Sequence, residues 1–523
     1  MGDIDARNFC PEIVSKFEEA VRGASFVSVD LEMTGISFPA KTENGNDSVP
    51  LRYHKIRQVA GTFGIIQIGI SVFSSDESSA KVFNFYVFPR PVTEGAAVDV
   101  IPLITLCSAS TNFNRSHGMD FGRWIEHGIT YVDGVTEEKL KQLLLEDKND
   151  SASAEKAWDR LLAGFSPLDA SVVETEEYKN QEQRVLSDVE NMLQDPAITN
   201  YKVPFIHGGQ RWLKSILSSV RVKFPTVRLI EEVSGGGSSR VLTKKSSLDI
   251  FQEYIGFRAV WTALSKASKP VVFHNGFLDL MFCFQHFEGQ LPETISEFKQ
   301  KVKEVFPGGV FDTRLIALES GVSMAGSAAL ETLAELVKSK TVAVIDSGKY
   351  SESTGRFHEA GFDALLTGKV FLGLKAKLTH DLVSSQWKNQ VCLSRCCWVL
   401  SIDNIDTEDR ALLDCGAGKS RILRFVSEMN KNVSTRDVFS IFDDAKSVTA
   451  NTFFNIQWIN DTSGILVVTW PNEKSGDSVS SSISLKLAEC AKSANFKLAT
   501  TAEYVKKQLD EITPDPNMKK FRL

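Results

Sequence analysis

The apolar run Phe26 to Val29 opens a strand that continues through Asp30-Leu31-Glu32-Met33. Residues two apart on a strand share a face, so Asp30 and Glu32 project into one small volume. Gln67-Ile-Gly-Ile-Ser-Val and Val82-Phe-Asn-Phe-Tyr-Val-Phe, rich in β-branched and aromatic residues, predict further strands. Helical spacing follows around Phe121 to Ile125 and from Thr136 to Leu145. The chain then turns polar through Glu146-Asp-Lys-Asn-Asp-Ser, and two helix-like runs lead to Gly208-Gly-Gln-Arg-Trp-Leu-Lys-Ser-Ile-Leu. Ser234-Gly-Gly-Gly-Ser-Ser reads as a flexible loop.

Beyond that loop the spacing predicts a helix over 256–265, a strand at Val271-Val-Phe, a helix carrying Asp279, and a helix from Ala360 to Leu378. Asp363 falls near the start of the last of these, where the aligned peptide dipoles favour a carboxylate. After the charged stretch Ser401-Ile-Asp-Asn-Ile-Asp-Thr-Glu-Asp the order is strand, helix, strand, strand, helix, strand, ending near Thr500. This βαββαβ order is that of an RNA-recognition motif. Its strand Gly464-Ile-Leu-Val-Val-Thr-Trp holds aliphatic residues where such domains carry base-stacking aromatics.

With 523 residues the chain is long enough for about three or four domains. Its 42% hydrophobic and 24% charged content is that of a soluble globular protein, and the longest apolar stretch found, Cys396 to Leu400, is far short of the roughly 20 residues a bilayer needs. The start lacks a basic n-region and an apolar h-region, so an intracellular protein is expected. Eight cysteines without a Cys-x-x-Cys repeat fit buried free thiols. A net charge of −7 argues against bulk electrostatic coating of nucleic acid. Binding must be local, and Arg211, Lys214, Arg221, Lys223 and Arg228, with no acidic residue among them, offer a phosphate-contacting face.

Two carboxylates crowded on one strand repel unless a proton or a cation intervenes. Oxygen-only ligation favours Mg²⁺ or Mn²⁺ over zinc. With 66 acidic residues, one Asp-x-Glu pair arises readily by chance; the constellation of Asp30, Glu32, Asp279 in His274-Asn-Gly-Phe-Leu-Asp, and Asp363 five residues after His358 does not. The constellation resembles that of metal-dependent 3′ exonucleases, and the phosphodiester cleavage this implies requires charge neutralisation on both the attacking and the leaving oxygen, which two ions about 3.5–4 Å apart provide. Asp30 is the natural bridge, and Glu32, Asp279 and Asp363 complete the shells. An imidazole titrates near neutrality, which makes His358 the candidate general base.

This constellation resembles the DEDD superfamily of 3′ exonucleases, in the subgroup with a histidine before its last aspartate. Asp30-Leu-Glu-Met-Thr-Gly-Ile, Arg52-Tyr-His-Lys-Ile-Arg, Val271-Val-Phe-His-Asn, Phe311-Asp-Thr-Arg-Leu and His358-Glu-Ala-Gly-Phe-Asp-Ala-Leu-Leu-Thr-Gly together look like the poly(A)-specific ribonuclease family. The resemblance implies an α/β protein: an RNase H-like core of mixed sheet flanked by helices, interrupted by a small α/β nucleic-acid-binding insertion of Arg-x-x-x-His type and followed by an RRM-like domain. The expected boundaries are 1–159 and 246–400 for the nuclease, 160–245 for the insertion, 401–417 for a linker, 418–508 for the RRM-like domain and 509–523 for a tail. In the insertion, Arg211 is followed four residues later by Ser215 in place of the histidine.

By matching to that family, Met33 and Ile36 fall where residues pack on the terminal nucleotides, and Asn275 and Arg314 near the scissile phosphate. Met33 stands in place of a Phe and Arg314 in place of a lysine; the first stacks less well, while the second can grip phosphate through two bonds. Phe121 is either a further base-packing residue or a core aromatic. Trp458, in Asn455-Ile-Gln-Trp-Ile-Asn-Asp, matches the tryptophan with which the family stacks a 5′ m7G cap, a cation that a tryptophan face attracts.

The activity so implied is 3′→5′ shortening of single-stranded RNA with a poly(A) tail, with release of 5′-AMP and two Mg²⁺ (or Mn²⁺) ions as cofactor, by a homodimer in cytoplasm and nucleus with no membrane partner. Trimming of small non-coding RNA ends, as in the piRNA-trimmer branch, and a catalytically silent RNA- or cap-binding adaptor are the alternatives.

Overall fold

A computed structural model describes residues 2–38, 47–93, 99–145, 150–234, 237–322, 328–337, 342–345, 348–350, 357–378, 382–384, 386–394, 396, 398–405, 418–427, 434–443, 453–460, 463–471, 476–494 and 496–499. The largest sheet has six strands: β1 (Ala24–Met33), β2 (Ile65–Ser74), β3 (Ser79–Tyr86), β4 (Val271–Phe273), β5 (Val310–Asp312) and β6 (Ala343–Ile345), in the order β5-β4-β1-β2-β3-β6. The first three form an antiparallel meander, and β4, β5 and β6 join in parallel, β4 with Val271 opposite Val27.

Both faces of this sheet are covered, which is why β2 reads Ile-Ile-Gln-Ile-Gly-Ile-Ser-Val-Phe, buried throughout, and not as a simple alternation. On one face Val27, Val29, Leu31 and Met33 meet Phe17 and Val21 of helix Pro11–Arg22 and residues of helix Arg258–Lys266. On the other, Phe26 stacks on Phe73 at 4.5 Å and meets Phe371 at 5.0 Å from helix Ala360–Leu378. That helix approaches closely because Gly69 and Gly368 carry no Cβ: an added one would lie 1.9 Å from Ala360 O and 2.1 Å from a Phe73 ring carbon, respectively. The result is the expected mixed α/β arrangement.

Between β3 and β4, helices Asp150–Leu162, Glu176–Gln194 and Gly209–Lys223 pack on an antiparallel sheet in which Gly237–Thr243 lies between Asn200–Lys202 and Arg228–Ser234. This unit has a core of its own, which includes Trp158, Tyr178, Ile216 and Leu242. The expected basic face is mostly spent on internal contacts. Arg221 pairs with Asp159 at 2.8 Å, Lys223 with Glu190 at 3.3 Å, Lys214 donates to Ala163 O at 2.8 Å, and Arg228 is buried and donates to Ser247. Acidic residues absent from the local sequence arrive from neighbouring helices, leaving Arg211 as the one exposed cation of the five without a bond among the described residues.

Toward the C-terminus, Gly418–Ser427, Phe453–Asn460, Ser463–Pro471 and Phe496–Ala499 form an antiparallel sheet, with helices Thr435–Phe442 and Gly476–Ser493 between them in sequence. Leu466 and Val468, two apart on one strand, enter a small core with Val438, Phe442 and Leu487. Among the described residues no helix is long and apolar enough to cross a membrane.

Candidate active site

Strand β1 alternates as its sequence demands: Leu31 and Met33 enter the core, while Asp30 and Glu32 face the opposite way, half-buried, opposite Gly69 and Gln67 of β2. Ser28, on the same face, donates to Ala364 O of helix Ala360–Leu378 at 2.6 Å. The two acidic residues therefore point toward the start of that helix.

Two of its first backbone N–H groups, which have no partner within a helix, are taken by side chains of the sheet: Ala360 N donates to Gln67 Oε1 at 3.3 Å and Gly361 N to Asn84 Oδ1 at 3.1 Å. Asp363 lies in the first turn and accepts the backbone N–H of His358 at 2.9 Å. His358 holds φ at 67°, a left-handed conformation that costs a non-glycine residue and persists only where its surroundings enforce it.

Asp279 comes from the other side. Strand β4 ends at Phe273, and His274-Asn275-Gly276 turns into helix Phe277–Cys283, whose first turn carries Asp279. Asn275 is also left-handed, φ 58°. One buried carboxylate, Asp312 at the end of β5, holds this turn. It accepts backbone N–H groups from Asn275 and Arg314 at 2.9 Å, Gly276 at 3.2 Å, Leu315 at 3.4 Å and Cys392 at 2.9 Å.

The electrostatics of the cluster are those of a site lacking positive charge. Burial, reinforced by Asp363, Asp279 and Glu32, pushes the Asp30 carboxyl well up, and Glu32 rises through burial, Asp363 and Asp279. Burial pushes Asp279 and Asp363 up to about 7. Among the described residues no Lys or Arg pairs with any of the four. Ligand atoms of Glu32, His358 and Asp363 lie within 4.8 Å of one another. A cluster of buried oxygen donors with raised affinity for positive charge fits a hard divalent ion.

The remaining expected contacts divide. Ile36 is 51% exposed, whereas Met33 is 5% exposed and turned into the main core, away from any open surface. The strand alternation that aims Asp30 and Glu32 into the site necessarily turns Met33 away. Phe121 is half-buried and edge-on to Trp124 at 6.1 Å, in a cluster with Tyr86 and Met119. Among the described residues Asn275 Oδ1 and Arg314 Nε are buried without a hydrogen-bond partner, although Arg314 Nη1 donates to Ala328 O at 3.2 Å. Trp458 lies in strand Phe453–Asn460 opposite Gly464; its side chain is outside the described residues.

Sequence reasoning missed Phe113, His117 and Asp312. Helix Ser108–Ser116 carries Phe113 and ends beside His117, and both rings meet His358, at 4.7 and 4.3 Å between centroids. Nothing in the local sequence marks them, because the helix is docked by tertiary bonds, Asn114 Nδ2 to Met33 O at 3.2 Å and Cys107 N to Thr34 O at 2.9 Å. Asp312 did leave a signal: a carboxylate ending the apolar run Val310-Phe311 and capping helix Thr313–Glu319.

The model of the CAF1 family ribonucleases matches residues 4–371, and the chain belongs to that family. Among its relatives, "Poly(A)-specific ribonuclease PARN" of Xenopus laevis is 26% identical over 97% of this chain and 82% of its own length. The human protein of the same name is 26% identical over 95% of this chain and 79% of its own length. "Poly(A)-specific ribonuclease PNLDC1" of Mus musculus is 26% identical over 73% of this chain and 72% of its own.

Proposed function

We propose that this protein is a 3′→5′ exoribonuclease that shortens poly(A) tails and releases 5′-AMP. The observation that carries this reading is the cluster of Asp30, Glu32, Asp279 and Asp363, uncompensated by any described cation, in a chain of the CAF1 ribonuclease family. The names of the frog and human relatives supply the poly(A) substrate. The four carboxylates would hold two divalent ions, Mg²⁺ or Mn²⁺, which neutralise charge on the attacking and leaving oxygens.

The protein's own groups then have distinct tasks. His358 is the proton acceptor for the attacking water. Burial first, and the neighbouring His117 second, hold its imidazole below the ordinary value, so that it is neutral and able to accept at pH 7. Arg314 Nε and Asn275 Oδ1, buried with no partner among the described residues, would bond a phosphate oxygen and accept from a water or hydroxyl, respectively. Exposed Ile36 offers an apolar surface to a nucleobase.

We read the unit that runs from helix Asp150–Leu162 to strand Gly237–Thr243, and so begins before the expected bound at 160 because Trp158 belongs to its core, as a nucleic-acid-binding insertion, on which Phe205, 81% exposed, stands edge-on to His207. The order and pairing of the strands in 418–499 support an RRM-like domain, with Trp458 as the candidate cap-stacking residue; retention of cap-analogue affinity by a folded W458A would remove that role. A homodimer and residence in cytoplasm and nucleus belong to the same reading.

The test is a 5′-labelled RNA ending in about 20 adenosines, incubated with protein and Mg²⁺ beside matched uridine- and cytidine-ended RNAs and a D30A control. Stepwise shortening of the adenosine tail alone, lost in D30A, is the expected result. Equal trimming of all tails would make the protein a general 3′ exonuclease, and binding without cleavage would make it an adaptor.

A further inference from the structure

Histidines that act as bases are normally oriented by a hydrogen bond from their second ring nitrogen, often to a carboxylate or backbone carbonyl. Among the described residues, neither ring nitrogen of His358 has such a partner. Its backbone is fixed, by φ of 67° and the bond from its N–H to Asp363, but these leave the side-chain torsions free.

What touches the imidazole is aromatic. His117 lies 4.3 Å away at 68° between planes, Phe113 lies 4.7 Å away at 75°, and these two rings are 4.3 Å from each other. Edge-to-face contacts of this kind are directional, because the positive edge of one ring seeks the negative face of another. The bracket is itself anchored. His117 Nδ1 lies 2.9 Å from Phe113 O, and since a carbonyl can only accept, Nδ1 carries the hydrogen and the ring is tied to its own helix. That helix is tied in turn to the end of β1 through Asn114 to Met33 O and Cys107 to Thr34 O, one residue beyond the strand's acidic pair and two.

We propose that His117 is a positioning residue for His358: with Phe113 it brackets the imidazole and, by packing, sets the plane from which it accepts a proton. This rests on the reading of His358 as the base. It links the orientation of that ring to the strand carrying Asp30 and Glu32, so that base and acidic ligands move as one body.

His117 is exposed, so its replacement should leave the fold intact. H117A removes the ring, and H117F keeps a ring to pack on His358 and Phe113 while giving up the Nδ1 bond to Phe113 O, so that the packing is tested apart from its anchor. The expected result on adenosine-tailed RNA is a kcat lowered by about 10- to 100-fold in H117A, with KM changed by less than about twofold, and a kcat largely restored in H117F. An unchanged kcat in H117A would overturn the proposal. So would an H117F as impaired as H117A with raised KM, which would make His117 an RNA contact.

A second readout does not depend on turnover. In protein labelled with ¹³C-histidine, the ring signal of His358, identified by its loss in H358A, should broaden in H117A and remain sharp in H117F. An identical signal in wild type and H117A would sink the bracket. Absence of cleavage by the wild-type protein would instead count against the proposed activity, with the ring signal still testing the packing.

Discussion

The backbone N–H of His358 reaches Asp363 Oδ2 across 2.9 Å, so that the proposed base and the last carboxylate of the cluster are fixed by one turn of chain. Their closeness makes two roles for the imidazole distinguishable by experiment. As a base, His358→Ala should lower kcat by about 10²- to 10⁴-fold while Mn²⁺ affinity, read by electron paramagnetic resonance, stays at the wild-type level. Loss of Mn²⁺ binding in step with activity would make it a ligand, the role its place within 4.8 Å of Glu32 and Asp363 also permits.

The raised carboxyls predict how stability depends on pH without metal. Asp279 and Asp363 titrate near 7 when folded, against an ordinary 3.8, so the folded form retains protons that the unfolded chain has released. Their contribution is full below about pH 4 and is lost as pH rises through about 7. His274 and His286, buried and held down to about 3 and about 4, act in the opposite sense below pH 6.5. The wild type is therefore compared with D279N/D363N in EDTA: the difference in melting temperature should move in favour of the double variant from pH 5 to pH 8. Mg²⁺ should reverse the trend for the wild type alone, with release of protons. A difference independent of pH would refute the electrostatic account.

Asp312 gathers five backbone N–H groups from three segments of chain. D312A would leave those donors buried and unpaired, and we expect a loss of roughly 3–5 kcal/mol in urea unfolding. D312N keeps one acceptor oxygen and should unfold closer to wild type, yet bind Mn²⁺ more weakly, because the turn at Asn275 and Gly276 sets the helix that carries Asp279. Wild-type Mn²⁺ affinity in D312N would confine Asp312 to a structural part.

Gly69 presents a purely steric case. A Cβ there would lie 1.9 Å from Ala360 O, backbone that cannot swing aside. G69A should cost roughly 1–3 kcal/mol as the helix shifts, and should lower kcat more than stability because the displaced turn carries Asp363. Wild-type turnover in a variant melting several degrees lower would show that the site tolerates that shift.

The direction of the acidic pair was legible because strand periodicity alone aims Asp30 and Glu32 the same way, whereas Asp279 and Asp363 were marked by the resemblance of their stretches to a known family and not by spacing. The same periodicity should have excluded Met33, which is odd where the acidic residues are even and so faces the core. Phe113 and His117 were illegible for a different reason. Their approach to His358 depends on where helix Ser108–Ser116 docks, and that is settled by buried bonds to β1 that no spacing records. The basic helix misled because Asp159 and Glu190, which neutralise it, are distant in sequence and adjacent only in the folded unit.

The bond from Ser28 to Ala364 joins residues 336 apart in sequence. During synthesis the acidic pair of β1 thus leaves the ribosome long before its partners exist, while the unit around Trp158 and Leu242 holds every residue of its own core and can close early. A nascent or truncated chain ending ahead of Asp363 lacks one of the four carboxylates that the finished fold gathers. The acidic cluster is thereby completed late in synthesis, as a by-product of topology.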